Sequence, residues 1–270
     1  MVRKRIQNIL KKEWMVMLGD LNSALFVTLL PLLIMGQAVL VIWLIVHFGG
    51  EGIITNTFFA TSLEKLRDAL PSVSGLPVME QFQVLLLSQF NLYLLLIPTM
   101  IAISLATFSI LEEKMSRSLE PLLATPVRTW ELLLGKALSG ALPALFITWV
   151  CAGIFLLCMV GLGWGHLLHL VLTPSWFLSL FLLTPGVALL SFLLGIIGSS
   201  RAKDAKSAQN IVVFIVFPIL ALVGVQVIGL VWFTPLLTLV LALVIAVADL
   251  LVLRVATSLF QRESIVVSWQ

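Results

Sequence analysis

A chain of 270 residues that is 60% hydrophobic and 11% charged lacks the coat of a water-soluble domain, in which roughly 25% of residues carry charge. Its net charge of +3 does not mark a nucleic-acid surface, because the basic residues sit at the ends of apolar runs, where they set membrane orientation. From Ala137 to Ser200, and again from Ser207 to Ala248, there is no Asp, Glu, Lys or Arg. A helix needs about 20 apolar residues to cross a hydrocarbon core of about 30 Å, and the alternating pattern of barrel strands is absent. The sequence therefore predicts an all-α polytopic membrane protein, a single domain over residues 1–270 embedded in the lipid bilayer.

In chain order, residues 1–22 carry Arg3, Lys4, Arg5, Lys11 and Lys12 beside Ile6, Ile9, Leu10, Trp14, Met17, Leu18 and Leu21 at helical spacing. This is the pattern of an amphipathic interfacial helix lying in the headgroup layer. The first span is expected over 24–46. An extracytoplasmic loop follows over 47–81, with turn signals at Gly49-Gly50, Pro71 and Pro77 and a short helical piece at Ser62–Leu70. The second span covers 84–111. A charged connection, Glu112–Lys136, leads to the third span at 137–160. The motif Gly161-Leu-Gly-Trp-Gly165 separates this from a fourth at 175–197. A polar loop at Ser199–Lys206 precedes a fifth and a sixth span, at 209–231 and 235–255, with a tight turn between them.

Six spans place the two termini and the connections 112–136 and 199–206 on one side. That side holds fourteen of the sixteen Lys and Arg residues, so both ends are expected to be cytoplasmic and the protein to reside in the cytoplasmic (inner) membrane. Proline falls in or beside every span, at Pro31, Pro98, Pro143, Pro185, Pro218 and Pro235, as is common in transmembrane helices.

Few residues suggest chemistry. No G-x-x-x-x-G-K-[ST] loop is present, so the chain has no phosphate-binding site of that type, and no catalytic residue is expected. His166 and His169 are too few to hold a metal, and no metal or cofactor is expected on this chain. Cys151 and Cys158 read as buried structural thiols. Asp249 is the one acid inside a span. It is expected near the cytoplasmic end of the last helix, where snorkelling or pairing with Arg254 relieves its cost.

The informative stretch lies between the second and third spans. Ser118 is a suitable N-cap, Glu120 favours the first turn, and Pro121 is tolerated there. Leu119, Leu122 and Leu123 form a stripe at i, i+3 and i+4, and Thr125-Pro126 ends the short helix. A short amphipathic helix is thus held at the membrane surface, suited to docking on a soluble partner.

The run Ser118-Leu-Glu-Pro-Leu-Leu-Ala-Thr-Pro126, with Glu131 and Gly135-Lys136 after it, resembles the membrane-spanning permease subunits of type-2 ABC exporters. Their pattern is Glu-x-Glu-x-Gly-Thr-Leu-Glu-x-Leu-Leu-x-Thr-Pro. Glu113, Leu119, Glu120, Leu122, Leu123, Thr125 and Pro126 match it, while Met115, Arg117 and Ser118 depart from it. Lys12-Glu13, Pro31 and the run from Ser200 to Gln209 resemble the family more weakly, so the likeness extends along the whole chain.

The resemblance implies that Ser118–Thr125 is a coupling helix seated in a separate cytoplasmic ABC ATPase, with Glu112 and Glu113 supporting that contact. It further implies that ATP is bound by that other subunit, that two permease chains pair as a homodimer or with a related chain, and that the complex exports a drug, lipid or ion. An ATP-independent carrier or channel is the alternative, and it would be expected to bury several carboxylates.

Overall fold

The computed structural model describes residues 2–19, 21–48, 57–115, 129–201, 217 and 234–259. Among these residues every regular element is helical. In chain order they are α1 (Val2–Gly19), α2 (Leu21–Phe48), α3 (Thr57–Ala69), a 3-10 turn (Pro71–Gly75), α4 (Val78–Ser88), α5 (Phe90–Met115) and α6 (Thr129–Gly161). A second 3-10 turn (Gly165–Leu167) and α7 (Leu168–Val171) follow. Then come α8 (Pro174–Leu178), a π turn (Ser179–Leu183), α9 (Thr184–Arg201) and α10 (Pro235–Leu259).

Among the described residues five helical stretches are long and apolar enough to cross a membrane: Val27–Phe48, Val78–Thr107, Trp130–Gly161, Pro174–Ser200 and Pro235–Leu259. They correspond to the first, second, third, fourth and last predicted spans. The fifth, at 209–231, lies outside the described residues apart from Phe217.

Three boundaries differ from the sequence reading. The segment 47–81 is expected to be a loop with one helical piece at Ser62–Leu70; that helix is α3, and it starts earlier, at Thr57. Leu63, Leu66 and Val73 are buried against Phe82, Trp164 and Leu167, so the polar surface of α3 hides an apolar underside. The second span starts at Val78 rather than 84 and is built from α4 and α5, which meet at Gln89. The third span starts at Trp130 rather than 137, because Glu131 and Lys136, expected in the charged connection, are both buried on α6 at 2% exposure.

The bundle has two stacked cores. At one end Met35, Phe82, Phe90, Phe155 and Trp176 pack together, with the rings of Phe90 and Phe155 parallel at 3.6 Å. At the other end, close to α1, the core is made of smaller residues such as Ala102, Ala106, Ala137 and Ala144, closed by Phe192 and Ile196. Small residues let apolar helices approach when lipid supplies no hydrophobic drive between them. A Cβ on Gly195 would meet Ala106 Cβ at 2.7 Å, and one on Gly140 would fall 1.9 Å from the Phe192 ring. The contacts Leu94–Thr184 and Ile103–Gly195 show that α5 and α9 run parallel; Leu241 and Ile245 cluster with Leu183 and Val187, and Ala256 with Phe192 and Ile196, so α10 runs parallel to both.

Proline strips the carbonyl four residues earlier of its helical donor, and lipid offers no replacement. Here side chains supply it. Pro143 frees the carbonyl of Ser139, which accepts from the Trp14 indole of α1 at 2.9 Å. Pro98 frees that of Leu94, which lies 3.2 Å from the Thr184 hydroxyl; that hydroxyl is also 2.7 Å from Ser179 O. Before Pro185 the backbone widens into the π turn, whose five-residue spacing leaves Leu180 O without its donor. The Trp149 indole donates there at 3.3 Å.

Candidate functional site

The element of greatest interest lies between α5 and α6, and the structure describes how both flanks are held. Glu112 and Glu113 fall in the last turn of α5. Ser118, Leu119, Glu120, Leu122, Leu123, Thr125 and Pro126 lie outside the described residues.

Helix α1 ties the two flanking helices together. Its stripe was expected to face headgroups, but Ile6, Ile9 and Leu10 are half-buried and Ile9 presses on α6, where a Cβ on Gly135 would meet the Ile9 side chain at 3.2 Å. Glycine at 135 is what permits this approach. Glu13 occupies the next position of the same stripe, and the contact carries it to a buried cation. Lys136 Nζ lies 3.8 Å from Glu13 Oε1 and donates to Ser109 Oγ at 2.9 Å. Ser109 in turn donates to Glu13 Oε2 at 3.1 Å. Lys12 adds a more exposed contact to Glu13 at 3.5 Å.

The result is a closed triangle of α1, α5 and α6. The Lys136 side chain is only 3% exposed, and a buried ammonium in that position requires both a counter-charge and hydrogen-bond acceptors. One turn along α6, the Trp14–Ser139 bond fastens the same pair of helices again. Ser109 and Lys136 lie about two turns from Met115 and Thr129, the ends between which the 116–128 segment is strung. The two helices that the segment 116–128 joins are thus tied to each other through α1.

In the sequence Lys136 counts as a positive charge beside the membrane and as part of the family-like run, with nothing to show that it is buried. The available signal was Glu13, an acid placed within the apolar stripe of a basic helix, where its natural partner is a buried cation.

The remaining singled-out residues separate. Cys151 is buried and Cys158 half-buried, and both are free thiols. His166 lies 3.8 Å from Glu80 and is far from α1, at the opposite end of the bundle with His169. Among the described residues no group of His, Cys, Asp and Glu could hold a metal. Asp249 corrects the expectation of snorkelling or pairing with Arg254. It is 7% exposed and turned inward against Gly186, whose position a Cβ would bring within 3.6 Å of Oδ2, whereas Arg254 is exposed on α10 and forms no ion pair with it.

No curated protein and no solved structure matches the chain. The family model described as ABC-2 family transporter protein matches residues 7–241, from within α1 to within α10, and so takes in the whole triangle, the connection it anchors and four of the five described spans in full. An all-helical, multi-pass architecture and this end-to-end match agree that the chain belongs to the ABC-2 family of transporter proteins, as a membrane component of an ABC transporter.

Proposed function

We propose that this chain is the permease subunit of an ATP-driven exporter of the cytoplasmic membrane. Six spans, with both termini and the 112–136 and 199–206 connections in the cytoplasm, form half of the pathway. A second permease chain, identical or related, completes it. ATP is bound and hydrolysed by a separate cytoplasmic ABC ATPase, because the permease carries no nucleotide loop and no catalytic residue of its own.

The ATPase docks on the coupling helix Ser118–Thr125. Leu119, Leu122 and Leu123 enter its cleft, Glu120 and Ser118 fix the helix start, Thr125-Pro126 its end, and Glu112 and Glu113 flank the contact. The observation that carries this reading is the Glu13–Ser109–Lys136 triangle, which makes both flanks of the coupling helix one mechanical unit with α1. Such a clasp suits an element that receives force from outside, and a carrier working alone has no need of it.

Changing Leu122 and Leu123 to Asp is expected to abolish co-purification of the ATPase while membrane insertion and helix content stay unchanged. Full retention of ATPase binding by that double variant would sink the coupling-helix assignment.

A further inference from the structure

Among the described residues six buried side-chain polar atoms find no hydrogen-bond partner within the protein. They are Gln83 Nε2, Gln89 Oε1, Asn91 Oδ1, Trp176 Nε1, Ser179 Oγ and Asp249 Oδ1. Their distribution is one-sided. All six belong to α4, the α4–α5 junction, α5, α8, the π turn and α10, that is, to the second, fourth and last described spans; α1, α2 and α6 contribute none.

Of these elements α5, the π turn and α10 pack along one seam, with α8 against α10. The Leu94–Thr184 contact fixes a register of 90 residues between α5 and the end of the π turn, which sets Ser179 level with Gln89. Asp249 faces Gly186, seven residues beyond Ser179 and so about 10 Å deeper along the same direction. The break between α4 and α5 and the π turn therefore occur at one depth, with unpaired amides and a hydroxyl around them and a single carboxylate below.

An unpartnered buried polar group costs about 1–3 kcal/mol, and a charge costs more. Gln89, Asn91, Ser179 and Asp249, unpaired along α5, the π turn and α10 beside a triangle of α1, α5 and α6 in which the polar groups are paired, are an arrangement for a partner that comes from outside the protein. The seam is closed in this structure, since a Cβ on Gly186 would already meet Ile245 Cγ2 at 2.9 Å. A partner enters as α9 and α10 part.

We propose that this seam is the solute-binding face and that its solute is an organic cation bearing hydrogen-bonding groups. The cationic centre lies against Asp249, the carboxylate that α10 buries against Gly186, and the polar groups meet Gln89, Asn91 and Ser179. This rests on the permease reading above and adds the class of solute to it.

The test uses the full chain in lipid nanodiscs, titrated with ethidium, an organic cation carrying amino groups, and followed by fluorescence anisotropy against empty nanodiscs. Saturable binding is expected, weakened about tenfold or more by Asp249→Asn and largely restored by Asp249→Glu, with losses of about threefold for Ser179→Ala and Asn91→Leu. Arg254→Gln, an exposed charge on the same helix, is expected to bind as the unaltered chain does. Equal affinity of Asp249→Asn and the unaltered chain, or no saturable binding at all, overturns the proposal. ATPase co-purification from the same membranes is scored separately, so an ATPase that binds a chain indifferent to ethidium removes the seam assignment and leaves the permease reading standing.

Discussion

The α1–α5–α6 triangle and the seam between α5, α9 and α10 use similar residue types to opposite ends. In the triangle Glu13, Ser109 and Lys136 satisfy one another, and the Trp14 indole takes up the carbonyl that Pro143 leaves free. In the seam Asn91, Ser179 and Asp249 are as deeply buried, and each retains an atom without a partner. Paired polar groups in a membrane hold helices in one arrangement, whereas unpaired ones oppose the arrangement they are found in. The contrast divides the bundle into a part built to move as one body and a part whose closure is opposed by its own side chains.

The sharpest way to break this contrast is to remove one charge from each region. Lys136→Met leaves Glu13 without its buried counter-charge and is expected to cost about 3–5 kcal/mol, read as a large drop in the apparent Tm in detergent. Asp249→Asn removes an isolated charge and is expected to raise the apparent Tm; two shifts of the same sign would erase the distinction.

A smaller effect tests the proline pairing. Trp14→Phe is expected to cost about 1 kcal/mol in the natural background and close to nothing once Pro143→Ala has returned a backbone donor to Ser139 O. Equal costs in both backgrounds would mean the indole acts through packing alone. The smallest difference is between two serines. Ser109→Ala, which breaks two hydrogen bonds, is expected to cost about 1 kcal/mol, and Ser179→Ala, whose Oγ has none, to leave stability in the absence of solute unchanged.

Much of the helical framework was legible in the sequence because charge is so costly in lipid that its absence marks the spans. The boundaries that slipped did so at charged residues with partners of their own. Lys136 and Glu131 read as surface residues because sequence cannot say which cations have found a buried counter-charge. The amphipathic stripe of α1 was equally plain, yet a stripe of Ile6, Ile9 and Leu10 is the same whether lipid or protein covers it; the glycine at 135 decided the matter, and it lies far along the chain. Proline positions announce which carbonyls lose their donors, but the donors Trp14, Thr184 and Trp149 come from distant turns and follow only from packing. Asp249 was identifiable as unusual, while its depth depended on which face of α10 meets Gly186. The motif at Ser118–Pro126 pointed to the family by its resemblance to a known pattern, without any fold.

The bond between Trp14 and Ser139 joins residues 125 positions apart, and this has a consequence for biogenesis. At about 5–20 residues per second, α1 leaves the ribosome roughly ten seconds before the surface it will occupy has been synthesised. Until α6 inserts, the stripe of α1 lacks the Gly135 surface on which Ile9 packs. The buried ion pair forms only when a helix made early meets one made late. The clasp can therefore close only after the third span has been made.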